Sequence, residues 1–182
     1  MERQVDGQRI VDIFIPLSDI PTVTAQEKGE RIVGKKIVHY EKPEVANARE
    51  LFTAHLAAHA PKEPFRKGEP LHVELAFGYP WHGGKNGPEM RWRTTKPDAD
   101  NMAKLFLDCM TRCKYWEDDN QISTLCIVKI DINIDKKTMD GTQAMNITGI
   151  RLHINSEPPM DKWDIEDWHE NYCYMEFRGN AQ

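Results

Sequence analysis

The sequence predicts an α+β fold, a mixed β-sheet flanked by helices. Five segments rich in β-branched residues have the short, turn-bounded form of strands, and two segments carry apolar residues at helical spacing. The 182 residues suffice for one domain with a real hydrophobic core and no covalent staples.

In chain order, QRIVDIFIPL alternates well enough for a first strand, which Pro16 and Pro21 break into a loop. ERIVGKKIVHY reads as a further strand or a hairpin. PEVANARELFTAHLAAHA opens on Pro43 and sets Val45, Ala48, Leu51, Phe52 and His55 at helical spacing. Its His55 and His59 are four apart but lack the glutamate of a metalloprotease HExxH, so they are ordinary helix residues. PLHVELAFGYP is a third strand and runs into WHGGKNGPEMRWR, whose glycines and prolines predict a mobile basic loop. That loop lacks the Walker spacing of a phosphate-binding loop. A second helix is expected from Asp98 to Cys113, followed by strands at QISTLCIVKIDINI and NITGIRLHIN. Residues 1–155 are expected to form the folded domain and 156–182 an acidic C-terminal extension with room for a short acidic helix, where Trp163 and Trp168 would dock the tail on the domain.

No apolar run reaches the roughly 20 residues of a membrane span, and the N-terminus lacks the apolar core of a secretory signal. Cys109, Cys113, Cys126 and Cys173 form no CxxC pair and read as reduced thiols, so a cytoplasmic protein is expected. The net charge of −5 would disfavour nucleic acid if it were evenly spread, but residues 156–182 alone carry seven acids against two bases. Residues 1–155 are therefore neutral overall, and the stretch from Lys85 to Lys114 carries seven bases against four acids. A local basic excess suits a polyanionic ligand, although mixed solvated surfaces produce it too.

Within that stretch the second helix buries Met102, Leu105, Phe106, Cys109 and Met110, leaving Asp100, Asn101, Lys104, Asp108 and Arg112 on or near the opposite side. Residues two apart in a helix diverge by about 200°, so Asp98 can converge on Asp100 only from a non-helical cap position. Pro97 favours that placement. One reading makes Asp98 a cap, Asp100 a partner of the helix dipole and Lys104 an ion-pair partner of Asp100. The other makes the two carboxylates ligands. YWEDDNQI adds Glu117, Asp118 and Asp119 just before a long strand, either as solvated turn acids or as further oxygen ligands for a hard cation.

The run KPDADNMAKLFLDCMTRCKYWEDDNQISTLCIVK, Lys96 to Lys129, resembles the signature of the RusA-like Holliday junction resolvases. The resemblance rests on the order of Asp98, Asp100, Asn101, Lys104, Asp108, Trp116, Asp118, Asp119 and Lys129. It implies a homodimeric, Mg²⁺-dependent endonuclease, with Mn²⁺ as a possible substitute, that nicks two strands of a four-way DNA junction symmetrically during recombination and repair. Asp98, Asp100 and Asp119 would bind the metal and Lys104 would be required for catalysis, with Asn101, Asp108 and Asp118 in support. The long WHGGKNGPEMRWR segment and the acidic tail depart from shorter family members, which leaves junction preference and cutting sequence open. Two other functions stay in view: a less selective branched-DNA or flap nuclease, and a junction-binding protein that has lost catalysis.

For DNA contacts the expected residues are Lys85, Arg91, Arg93, Lys96 and Lys129. Lys129 either faces the site or lies on the solvent side of its strand. Trp92 and Trp116 either stack on bases or belong to the core.

Overall fold

A computed structural model describes residues 2–5, 7–23, 28–137, 141 and 147–156. The extension after Ser156, with Trp163 and Trp168, lies outside the described residues. The elements run β1 (Glu2–Val5), β2 (Gln8–Pro16), β3 (Lys28–Val33), β4 (Lys36–Glu41), α1 (Pro43–Ala58), β5 (Leu71–Trp81), β6 (Met90–Trp92), α2 (Ala99–Arg112), a 3-10 turn (Asp119–Gln121), β7 (Ile122–Asn133) and β8 (Gly149–Ser156).

Six strands form one sheet in the order β1-β2-β8-β5-β7-β6, and β3-β4 is a separate two-stranded hairpin. The central β5 and β7 are parallel; the other pairings of the sheet are antiparallel. The expected mixed sheet is therefore present. A parallel pair needs a crossover, and α2 supplies it. One face of the sheet presents Val11, Ile13 and Ile15 from β2, Leu71, Val73, Leu75 and Phe77 from β5, and Ile150, Leu152 and Ile154 from β8, all buried. This period-two set packs with the buried stripes of both helices in one core. Phe106 of α2 sits edge-on to both Phe52 of α1 and Phe77 of β5, with ring centroids 5.3 and 6.0 Å apart. Cys109 and Cys113 donate to the carbonyls of Arg49 and Thr53, so α1 and α2 run side by side in the same direction.

Two expectations change. β1 is a strand that the alternation of its neighbour did not reveal, closed onto β2 at Gly7, where φ is 83°. The segment expected to be a mobile loop is a knitted turn ending in the edge strand β6. Asn133, fully buried, donates to the carbonyls of Gly84 and Pro88 and accepts from the amides of Gly83 and Asp135. Glycine-rich composition suggested mobility, but one buried amide side chain on a distant strand satisfies the turn's backbone.

Candidate active site

The second helix begins as its sequence predicts. Asp98 is the N-cap residue, extended at φ −67° and ψ 144°, yet its side chain makes no capping hydrogen bond. Asp100 lies exposed in the first turn and Lys104 is exposed one turn later. Among the described residues none of these three side chains has a hydrogen-bonded or ionic partner, so the stabilising roles of cap and ion pair are not taken up. Two carboxylates and an ammonium therefore lie within about a turn and a half at the positive end of a helix, uncommitted among the described residues.

What fixes this group is the strand below it. Lys129 of β7 donates through Nζ to the carbonyl of Thr95, 3.0 Å away, and to that of Pro97. Lys129 thus faces the site side, as its register partner Phe77 does, but it grips the loop carrying Asp98 instead of reaching freely for phosphate. Arg93 reinforces the loop through Nη2, which donates to the carbonyl of Lys96 at 3.0 Å.

Behind the loop lies a residue that the sequence reading missed. Asp131 is 4% exposed and accepts from Arg91 Nε at 2.9 Å and Arg93 Nη1 at 2.8 Å. The guanidinium of Arg91 also stacks on Trp81 and that of Arg93 on Tyr79. Both arginines expected on DNA are committed to this buried carboxylate. The signal was legible: a carboxylate inside the apolar run IDIN must be paired if buried. Burial also pushes the Tyr79 phenol well above its ordinary range, with Arg93 acting against that rise. Lys85 and Lys96 are exposed, and their ammonium groups have no partner among the described residues.

The second acidic cluster lies elsewhere. Asp118 accepts from the amide of Asn120 at 2.9 Å and caps the short turn that begins at Asp119. Glu117 pairs with Lys67 at 3.1 Å. Asp119 is exposed just before β7, whose Ile122 meets Leu71 at the start of β5. Asp98 is held near Lys129, seven residues further along β7, roughly 23 Å at strand spacing. The 14 residues of α2 give about the same separation, roughly 21 Å. Asp119 therefore stands at the opposite end of α2 from Asp98 and Asp100, and among the described residues no group of three His, Cys, Asp or Glu is placed to hold a metal ion. Asn101 is half-buried beside Asp100, while Asp108 lies farther along α2, where its carboxylate is 3.9 Å from Arg49. Trp116 is fully buried and donates to Thr111 Oγ1 at 2.8 Å, so it belongs to the core; Trp92 is 73% exposed.

The donor chemistry of the helix start suits Mg²⁺. That ion prefers hard oxygen ligands and is commonly held by one or two carboxylates together with substrate phosphate and water. Asp98 and Asp100 fit such a two-carboxylate site; Asp119 does not join it within one chain.

The family model described as Endodeoxyribonuclease RusA matches residues 20–147. A curated relative, the crossover junction endodeoxyribonuclease rusA of Lactococcus phage r1t, is 35% identical over 115 residues, covering 63% of this chain and 84% of the relative. The matched region contains both helices, the hairpin and the whole segment from Lys96 to Lys129, and the chain belongs to the RusA endodeoxyribonuclease family.

Proposed function

We propose that the protein resolves Holliday junctions as a Mg²⁺-dependent homodimer, cutting the phosphodiester backbone at paired symmetric positions. Membership of the family supports endonuclease activity on crossover junctions. The observation that carries the local assignment is the uncommitted state of Asp98, Asp100 and Lys104 at one helix start.

Asp98 and Asp100 would hold the cation, and Lys104 offers a positive charge one helical turn later, where it can donate to a phosphate oxygen as charge develops there. When bound, Mg²⁺ polarises the phosphate and lowers the pKa of a water molecule. Lys129 and Arg93 keep the loop before Asp98 in place through its backbone carbonyls, so the backbone that presents Asp98 is already set when the phosphate arrives. Lys85 and Lys96 serve as exposed phosphate contacts.

Asp119 enters through the dimer. A helix length separates it from Asp98 within one chain, whereas a twofold partner can bring its own Asp119 to this helix start and receive the same in return. Two identical composite sites also suit two matched cuts.

The test is cleavage of a synthetic four-way junction, beside flaps and linear duplex, by the parent and by Asp100→Asn. Mg²⁺-dependent paired nicking of the junction by the parent, abolished in Asp100→Asn with binding retained, supports the proposal. Equal cutting of flaps would favour a less selective branched-DNA nuclease. Binding without cutting would favour a junction-binding protein, and normal nicking by Asp100→Asn would remove the metal assignment.

A further inference from the structure

The hairpin β3-β4 stands apart from the core in composition and exposure. Its register pairs Val33 with Lys36, so Gly34 and Lys35 form a two-residue turn, with Gly34 at φ 65°. Near its base the Tyr40 ring lies across Gly29, where any Cβ would collide with it. An isolated two-stranded ribbon is marginal in water, and one with apolar side chains toward solvent gains little from burial. Yet Ile32 is 79% exposed, Ile37 64% and Val33 53%.

These apolar residues lie next to cations. From Arg31 to Ile37 the sequence is RIVGKKI, three bases and no acid, so the tip suits a polyanion with an apolar interior. Apolar wedges flanked by bases act in this way on DNA, parting stacked base pairs while cations hold the backbone.

The hairpin also rises at the end of the molecule where Asp98 and Asp100 lie. β2 leaves the sheet at Pro16, which pairs with Gly149; Gly149 pairs with Gly78, and Gly78 with Ile130, beside Lys129. β4 delivers the chain to α1, whose start lies beside the first half of α2, since the helices run in the same direction. Glu41 at the foot of β4 is bound by Arg49 at 2.8 Å, which ties the hairpin base to α1.

We propose that the β3-β4 tip is a DNA-insertion wedge: Ile32 and Ile37 enter the stack at a junction's branch point, while Arg31, Lys35 and Lys36 grip the flanking phosphates. This rests on the reading of the protein as a junction nuclease and adds the element that would recognise the branch. Linear duplex, with no interrupted stack, resists entry more strongly.

The experiment uses the full-length chain with Ca²⁺ replacing Mg²⁺, on a four-way junction carrying 2-aminopurine at the branch point and on linear duplex of the same sequence. The comparison variant is Ile32→Thr/Ile37→Thr, which keeps β-branched residues in the strands and removes their apolar ends. The parent is expected to raise the 2-aminopurine fluorescence on the junction. The double variant is expected to lose that rise and to bind the junction roughly tenfold or more weakly, with duplex affinity unchanged. Lys35→Gln/Lys36→Gln should instead reduce the salt dependence of binding by up to about two released counterions. An unchanged fluorescence rise and affinity in Ile32→Thr/Ile37→Thr would overturn the wedge. So would conversion of that variant from dimer to monomer in sedimentation, which would assign the hairpin to contact with a second copy. A parent that neither binds nor nicks branched DNA would refute the nuclease reading itself, a result distinct from a parent that nicks junctions without disturbing the branch-point bases.

Discussion

Lys129 carries a charge toward the start of α2 and spends it on the backbone of the loop that leads there. Its ammonium is occupied by the carbonyls of Thr95 and Pro97, so its contribution to binding DNA phosphate should be small. Lys129→Met is expected to slow single-turnover junction cutting by about tenfold or more, through a displaced Asp98, while the salt slope of binding stays at the parent value. Lys129→Arg should recover part of the rate. A slope reduced by about one counterion would instead make Lys129 a phosphate contact. The buried Asp131 carboxylate behind it makes a different prediction. Asp131→Asn takes the charge from the carboxylate that Arg93 and Arg91 share, and losing charge-assisted hydrogen bonds of this kind typically costs about 1 to 3 kcal/mol. Urea denaturation of the DNA-free protein should show this, and an unchanged midpoint would mean that the charge contributes nothing to the fold. Lys104 should behave oppositely to Asp131. Its side chain is exposed and has no partner among the described residues, so Lys104→Ala should leave stability within about 1 kcal/mol while lowering turnover by about a hundredfold.

At the scale of elements, the sheet carries a polar row in which Asp12, His153 and Glu74 are cross-strand neighbours on β2, β8 and β5. The hydrogen bond from His72, outweighing partial burial, holds the Glu74 carboxyl below its ordinary range, with His153 and His72 adding attraction. A depressed carboxyl adds stability above its unfolded pKa, near 4.3, that is lost as pH falls through the lower folded value. Parent and Glu74→Gln should therefore differ in urea midpoint at neutral pH and converge in acid below that value; a constant difference would contradict the assignment. The elements themselves were legible to different degrees. The spacing of Met102, Leu105, Phe106, Cys109 and Met110, with Pro97 ahead of it, located α2 to within a residue at each end, because an amphipathic stripe and a proline are local signals. β6 and the Asn133 turn were not legible, since their order depends on side chains about 50 residues away in sequence. The helix-start carboxylates could be picked out for the same local reason as α2. The distance from Asp98 to Asp119 could not, because it depends on which ends of α2 and β7 the crossover brings together.

For the whole molecule, the separation of the acids is the fact with the largest consequence. One chain offers two carboxylates at the start of α2 and a third a helix length away, so the proposed three-carboxylate site would have to draw on two copies. The same twofold that would complete each site would also present two sites to the two strands that a junction requires to be cut. No helix among the described residues is long and apolar enough to cross a membrane. The most direct test mixes two inactive variants, Asp100→Asn and Asp119→Asn, after brief co-denaturation and refolding to exchange protomers, and measures Mg²⁺-dependent nicking of a four-way junction. In a shared arrangement, the mixed dimer has one site with both substitutions and one site with neither, so the mixture should recover nicking of one strand although each variant alone is inactive. If each site were built from a single chain, both sites of the mixed dimer would remain defective. A mixture as inactive as its parts would therefore contradict the shared site.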